Sequence, residues 1–110
     1  MTSEERDSDI REDILEAIEF VERYTKGLTE YEFYQNDLVK DASLMRLIVI
    51  GELVGKLSDD FKVKNCEVNW REIKAGRNFY VHQYGQIDWT SIWLVKEKYL
   101  PELKKYLLQI

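Results

Sequence analysis

Apolar residues recur along this chain at helical spacing, and nowhere do they alternate in the period of a strand. Ile10, Ile14, Ala17, Ile18, Val21 and Tyr24 make one stripe, with Glu12, Glu16, Glu19, Glu22 and Arg23 covering much of the rest. This predicts an amphipathic helix from about Asp9 to Lys26, stopped at Gly27. Residues 1–7 are polar and acidic and are expected to be disordered. Thr29-Glu30-Tyr31-Glu32 fits a capping box and opens a short helix through Tyr34, with Tyr31, Phe33 and Tyr34 packing it onto the rest. From Asp37 to Leu57, Ala42, Met45, Val49, Leu53 and Leu57 line one side of a longer helix. Leu44, Leu47, Ile48, Ile50 and Val54 widen that arc nearly all the way round, which predicts the central and most buried helix. Gly51 and Gly55 lie one turn apart, where small residues let another helix approach closely.

Ser58 to Val68 reads as a charged connection with one turn at Ser58-Asp59-Asp60-Phe61. Asn69 then caps a helix from Trp70 to about Tyr84, with Glu72 placed to reach back, and Gly85 ends it. Asp88 caps the last helix from Trp89. Pro101 lacks a backbone donor, so it either kinks that helix or starts a new one through Leu108. Trp70, Trp89 and Trp93 are expected to anchor the core or a subunit interface. With one proline, five glycines and no repeat, the 110 residues read as one all-α domain, an antiparallel four- to five-helix bundle.

Composition adds exclusions. No apolar run approaches the about 20 residues a bilayer needs, and the opening residues do not resemble a signal peptide, so a cytoplasmic protein without membrane contact is expected. One cysteine and one histidine rule out an internal disulfide and argue against a zinc site within the chain. Cys66 has no activating base nearby in sequence and reads as inert. The carboxylates of the first helix read as a solvated face, so neither metal nor cofactor is expected. The net charge of −5 argues against nucleic acid, but the charge is uneven. Residues 1–60 carry 7 basic and 16 acidic side chains, and residues 61–110 carry 9 and 5. The basic half permits a local phosphate-attracting field.

That half holds Arg77-Asn78-Phe79-Tyr80-Val81-His82-Gln83-Tyr84, with the only histidine. Arg77 is a permanent cation able to fork onto a phosphate. His82 is the side chain that titrates near neutrality without special tuning. On a continuing helix, Asn78 and His82 share a face at i and i+4, and Arg77 and Tyr84 nearly align at i and i+7. A general acid/base, a phosphate clamp and two polar helpers suffice to cleave RNA without a metal. The RNA's own 2′-hydroxyl attacks phosphorus, a base takes its proton, and an acid protonates the leaving oxygen. One chain has one histidine. A two-fold dimer could bring two copies of His82 into one cleft, flanked by two of Arg77.

These residues resemble the HEPN superfamily, marked by an arginine and a histidine four to six residues apart with a polar residue after the arginine. The longer form, closed by the tyrosine at 84, resembles its HepT branch. Tyr24-Thr25-Lys26-Gly27, Ile50-Gly51-Glu52, Trp70-Arg71-Glu72-Ile73 and Leu100-Pro101-Glu102-Leu103 match that family in order along the chain. The resemblance implies a HEPN-type helical fold, a homodimer, and a metal-independent endoribonuclease that is the toxin of a toxin–antitoxin pair. It implies Arg77 and His82 as catalytic, with Asn78 and Tyr84 in support. It also implies silencing by an MNT-type nucleotidyltransferase antitoxin, by masking or by attaching AMP to Tyr84. Gly76, Gln83 and Gly85-Gln86 depart from the usual family residues, which bears on the cleft shape and on how Tyr84 is presented. A second class of function fits the same segment, a non-catalytic module that docks the nucleotidyltransferase and presents nucleotide or substrate. The presence of both Arg77 and His82 favours the enzyme, since docking needs neither.

Overall fold

A computed structural model describes all 110 residues, and every regular element in it is helical. Helix α1 runs Ser3–Thr25, six residues earlier than its apolar stripe predicts. Thr2 and Glu5 form a reciprocal capping box that satisfies the first free amides, and such caps contribute about 1 kcal/mol. The buried Asp7 accepts hydrogen bonds from the Ser58 amide at 2.9 Å and the Ser58 hydroxyl at 2.6 Å. The opening residues expected to be disordered are thus helical from Ser3 onward, held by polar contacts that apolar periodicity does not register. Gly27 follows α1 in the left-handed region, φ +78°, where only glycine is unstrained.

The short helix α2 spans Glu30–Tyr34 under the expected Thr29–Glu32 capping box. Phe33 is fully buried against Trp93 and Trp89, with ring centroids at 5.1 and 6.3 Å. Tyr31 does not pack as expected: it points to solvent at 71% exposure. Helix α3, Asp37–Lys56, lies between α1 and α5 and is antiparallel to α1. The Asp7–Ser58 contact joins one pair of their ends, and Arg46 Nε donates to the Tyr24 hydroxyl near the other. Its apolar arc exceeds what one chain buries: Leu44, Leu47, Ile50 and Val54 are in the core, while Leu38 and Met45 face solvent.

The charged connection holds a further short helix, α4, Asp59–Lys64, capped by Ser58. Helix α5, Trp70–His82, is pinned at its start, where the Trp70 indole donates to the Asn65 carbonyl at 3.0 Å and packs on Phe61. Trp70 is the one buried residue of α5. Helices α6, Trp89–Leu94, and α7, Leu100–Leu108, form a continuous run joined by a π turn over Val95–Tyr99. Pro101 can neither donate to the carbonyl four residues back nor fit beside it, and the wide turn lies just before it. Arg11 Nε caps α7 by donating to the Leu107 carbonyl, and Lys104 pairs with Glu22, so α7 runs antiparallel to α1. The result is an antiparallel bundle of four long helical runs and two short helices around one core.

Candidate active site

Helix α5 carries the site and α3 supports it. Asn69 caps α5, its side-chain Oδ1 accepting from the Glu72 amide at 3.1 Å. The helix then stays regular through Asn78 and His82, so these two stand one turn apart on a single face, both exposed. His82 is the last helical residue and has no hydrogen-bond or ion-pair partner within the chain, leaving its imidazole free for a ligand.

Arg77 is held from three sides. The Cβ and Cγ of its stem cross α3 at Gly51, filling the space a side chain there would need. Its Nη2 pairs with the Glu52 carboxylate, and its Nη1 donates to the Asn78 side-chain Oδ1 at 2.8 Å. Its Nε is buried without a partner. The guanidinium fork is therefore oriented and partly neutralised inside the chain, and an anion reaching it competes with Glu52. Asn78 turns toward Arg77 and makes no bond to His82.

Tyr84 does not line up with Arg77 as a helix continued to residue 84 would have it. The backbone leaves the helix at Gln83, φ −124° and ψ 37°, and Tyr84 opens a 3₁₀ turn, Tyr84–Gln86. The phenol is 53% exposed and donates to the Asp41 carboxylate at 2.6 Å. That hydrogen bond raises the Tyr84 pKa above the ordinary phenol value, with desolvation and the charges of Asp41 and Asp37 acting the same way. Asp41 and Glu52 lie eleven residues apart on α3, about 16 Å along its axis. Arg77 and Tyr84 are thus tied to opposite ends of one α3 stripe.

Leu38, Asp41, Met45, Ile48 and Glu52 follow one another at heptad spacing along that stripe, with Leu38 80% and Met45 57% exposed. Val81 on α5 is exposed as well. Neither Glu52, which in the sequence stands only within a family match, nor Asp41 is among the expected site residues. A glutamate beside a glycine in an otherwise apolar helix was the available signal for the first; Asp41 gave none, because its role depends on where α5 stops. No three His, Cys, Asp or Glu side chains converge as a metal site, and no helix is long and apolar enough to cross a membrane.

An all-α bundle that carries a half-buried arginine and an exposed asparagine and histidine in this register on one helix is of the HEPN class. The chain belongs to the ribonuclease HepT-like family, whose model matches residues 14–110. It is 35% identical, over 88% of its length, to a Methanocaldococcus jannaschii protein named "Gamma-glutamylcyclotransferase and putative RNase", of which it spans only 44%. It is 33% identical to a "Putative RNase" of the same organism, covering 84% of this chain and 85% of the relative. It is 32% identical to a "Probable ribonuclease HepT" of Thermococcus cleftensis, with 87% of both chains covered. No solved structure matches.

Proposed function

We propose that this protein is a metal-independent endoribonuclease, the toxin of a toxin–antitoxin pair, acting through Arg77 and His82 at a homodimer cleft. The observation that carries this reading is an unpartnered His82 one turn from Asn78, on the helix that also presents the oriented Arg77. In the reaction, a His82 imidazole takes the proton of the 2′-hydroxyl as that oxygen attacks phosphorus. Its two-fold mate donates a proton to the departing 5′-oxygen. Arg77 leaves Glu52 to bind the phosphoryl oxygens on which charge builds, and Asn78 keeps the guanidinium aimed. Products are a cyclic 2′,3′-phosphate and a 5′-hydroxyl.

The exposed Met45, set between Asp41 and Glu52, and the exposed Leu38, one turn before Asp41, support the dimer. Apolar side chains in heptad register on an outer helical face suit a matching helix of a second copy. Silencing by a nucleotidyltransferase would act at Tyr84. Its phenolic oxygen attacks the α-phosphorus of a nucleoside triphosphate, pyrophosphate leaves, and Asp41 accepts the phenolic proton. The adduct adds bulk and negative charge at the groove. The test is cleavage of RNA by the isolated chain in chelator. Cyclic-phosphate products are expected, and an inert protein refutes the enzyme in favour of a docking module.

A further inference from the structure

Helix α5 packs on α3 and leaves a gap on the side facing α7. A cavity of about 540 Å³ fills that gap, within the range that holds small ligands. It lies at the Asn69 cap and on the α5 face of Glu72, Ile73, Gly76 and Tyr80, nearly opposite the face that carries Asn78 and His82. Its floor is aliphatic, and the rings of Tyr80, Tyr99 and Tyr106 contribute to its walls.

The charge around it is one-sided. Glu67, Glu72 and Glu102 all line the cavity, and no lysine, arginine or histidine does. None of the three carboxylates takes part in an ion pair. Glu67 accepts from the Tyr106 hydroxyl at 3.2 Å and from the Cys66 thiol at 3.8 Å, and the Glu72 carboxylate accepts from Asn69 Nδ2 at 3.2 Å. The Tyr80 hydroxyl has no partner, and burial pushes its phenol up, so it stays a neutral donor and acceptor. The three carboxylates stand exposed at the rim, where they repel an anion and give a neutral apolar body nothing. A cation gains both the carboxylates and the tyrosine faces. Lys98 illustrates the second term from outside, its ammonium 5.4 Å from the Tyr99 centroid. Gly76 keeps the space open: a Cβ there would stand 3.7 Å from the Tyr80 hydroxyl, and anything longer would grow into the cavity.

We propose that this cavity is a binding site for an organic cation, a protonated amine carried on an apolar body. Three probes share one body and differ in charge: 4-phenylbutylamine, 4-phenylbutanol and 4-phenylbutyrate. They are titrated into the ¹⁵N-labelled full chain, with amide shifts as the readout. The amine should bind about tenfold tighter than the alcohol, with the largest shifts at Gly76, Tyr80 and Leu103, and the acid should not bind. Gly76→Leu should abolish the shifts in a folded protein. Should that variant misfold, Glu72→Gln/Glu102→Gln carries the same test, losing the preference for amine over alcohol while still binding both. Equal binding of amine and alcohol, shifts at other positions, or no shift at all overturns the site. Shifts of Gly76 and Tyr80 that follow protein concentration without any probe overturn it too, because a second copy then covers the face.

Discussion

The stem of Arg77 occupies the place on α3 that a side chain at Gly51 would fill. One glycine thus sets how closely α5 approaches α3 and where the guanidinium emerges. A Cβ at 51 would overlap both Cβ and Cγ of Arg77, with the Arg77 Cα close behind, so the helices must part. Gly51→Ala should cost about 1–3 kcal/mol in urea unfolding and lower cleavage by displacing Arg77. Gly55, one turn on, meets only the Lys74 Cε at 3.9 Å. Gly55→Ala should instead stabilise by about 0.5–1 kcal/mol through helix propensity. Equal effects at the two positions would refute this account of the crossing.

Glu52 competes with RNA phosphate for Arg77. Glu52→Gln should leave stability within about 1 kcal/mol, since partly exposed pairs contribute little. It should lower KM for RNA by about threefold with kcat nearly unchanged, and steepen the loss of binding with salt. An unaltered KM would show that Glu52 only orients the guanidinium.

Much of this was legible in the sequence, for definite reasons. The apolar stripe of α1, the extent of α3, the caps at Thr29, Asn69 and Asp88, and the closeness permitted by Gly51 rest on local rules, and the structure has each of them. The face shared by Asn78 and His82 is equally local. The early start of α1 is not local in the same way, because Asp7 is held by Ser58, a contact across 51 residues. Tyr84 departs from the i, i+7 alignment with Arg77 because one residue of non-helical backbone at Gln83 turns it away. Met45, expected on the side of α3 lined by Ala42, Val49, Leu53 and Leu57, is exposed, and the side that is buried is that of Leu44, Leu47, Ile50 and Val54. The amphipathic pattern records that a residue is apolar, and does not say whether the surface covering it belongs to the same chain.

His82→Ala should abolish cleavage, a loss of at least about 10²-fold, with melting almost unchanged because the side chain is exposed at a helix end. Arg77→Ala should abolish it too but also lower stability by about 1 kcal/mol, since the stem packs on Gly51. Activity should persist in chelator. Wild-type rates in His82→Ala, or activity lost with chelation, would count decisively against the mechanism.

Met45→Glu and Leu38→Glu place charges on the exposed α3 stripe without touching the core. Both variants should remain folded by circular dichroism, sediment as monomers at micromolar concentration, and lose cleavage. A wild-type protein that is itself monomeric and fully active would remove the need for two histidines in one cleft.

The Tyr84–Asp41 hydrogen bond gives two linked outcomes. The phenol donates to an ionised carboxylate, so the contact stabilises the protonated tyrosine, is present below the Tyr84 pKa, and is lost as pH rises through it. In wild type, ¹³Cζ-tyrosine spectra should show Tyr84 titrating above the ordinary 10.0, and Asp41→Asn should bring it back toward that value. The same substitution should slow AMP transfer to Tyr84 by a nucleotidyltransferase partner, because Asp41 is the acceptor for the phenolic proton. Tyr84→Phe should escape modification altogether and keep nuclease activity, since the ring lies at the far end of the stripe from Arg77. Mass spectrometry of the co-expressed pair reads the adduct. AMP found on another residue, or full silencing of Tyr84→Phe by the partner, would exclude the covalent route and favour masking. A modification rate in Asp41→Asn equal to wild type would keep Tyr84 as the acceptor but assign its deprotonation to the partner enzyme.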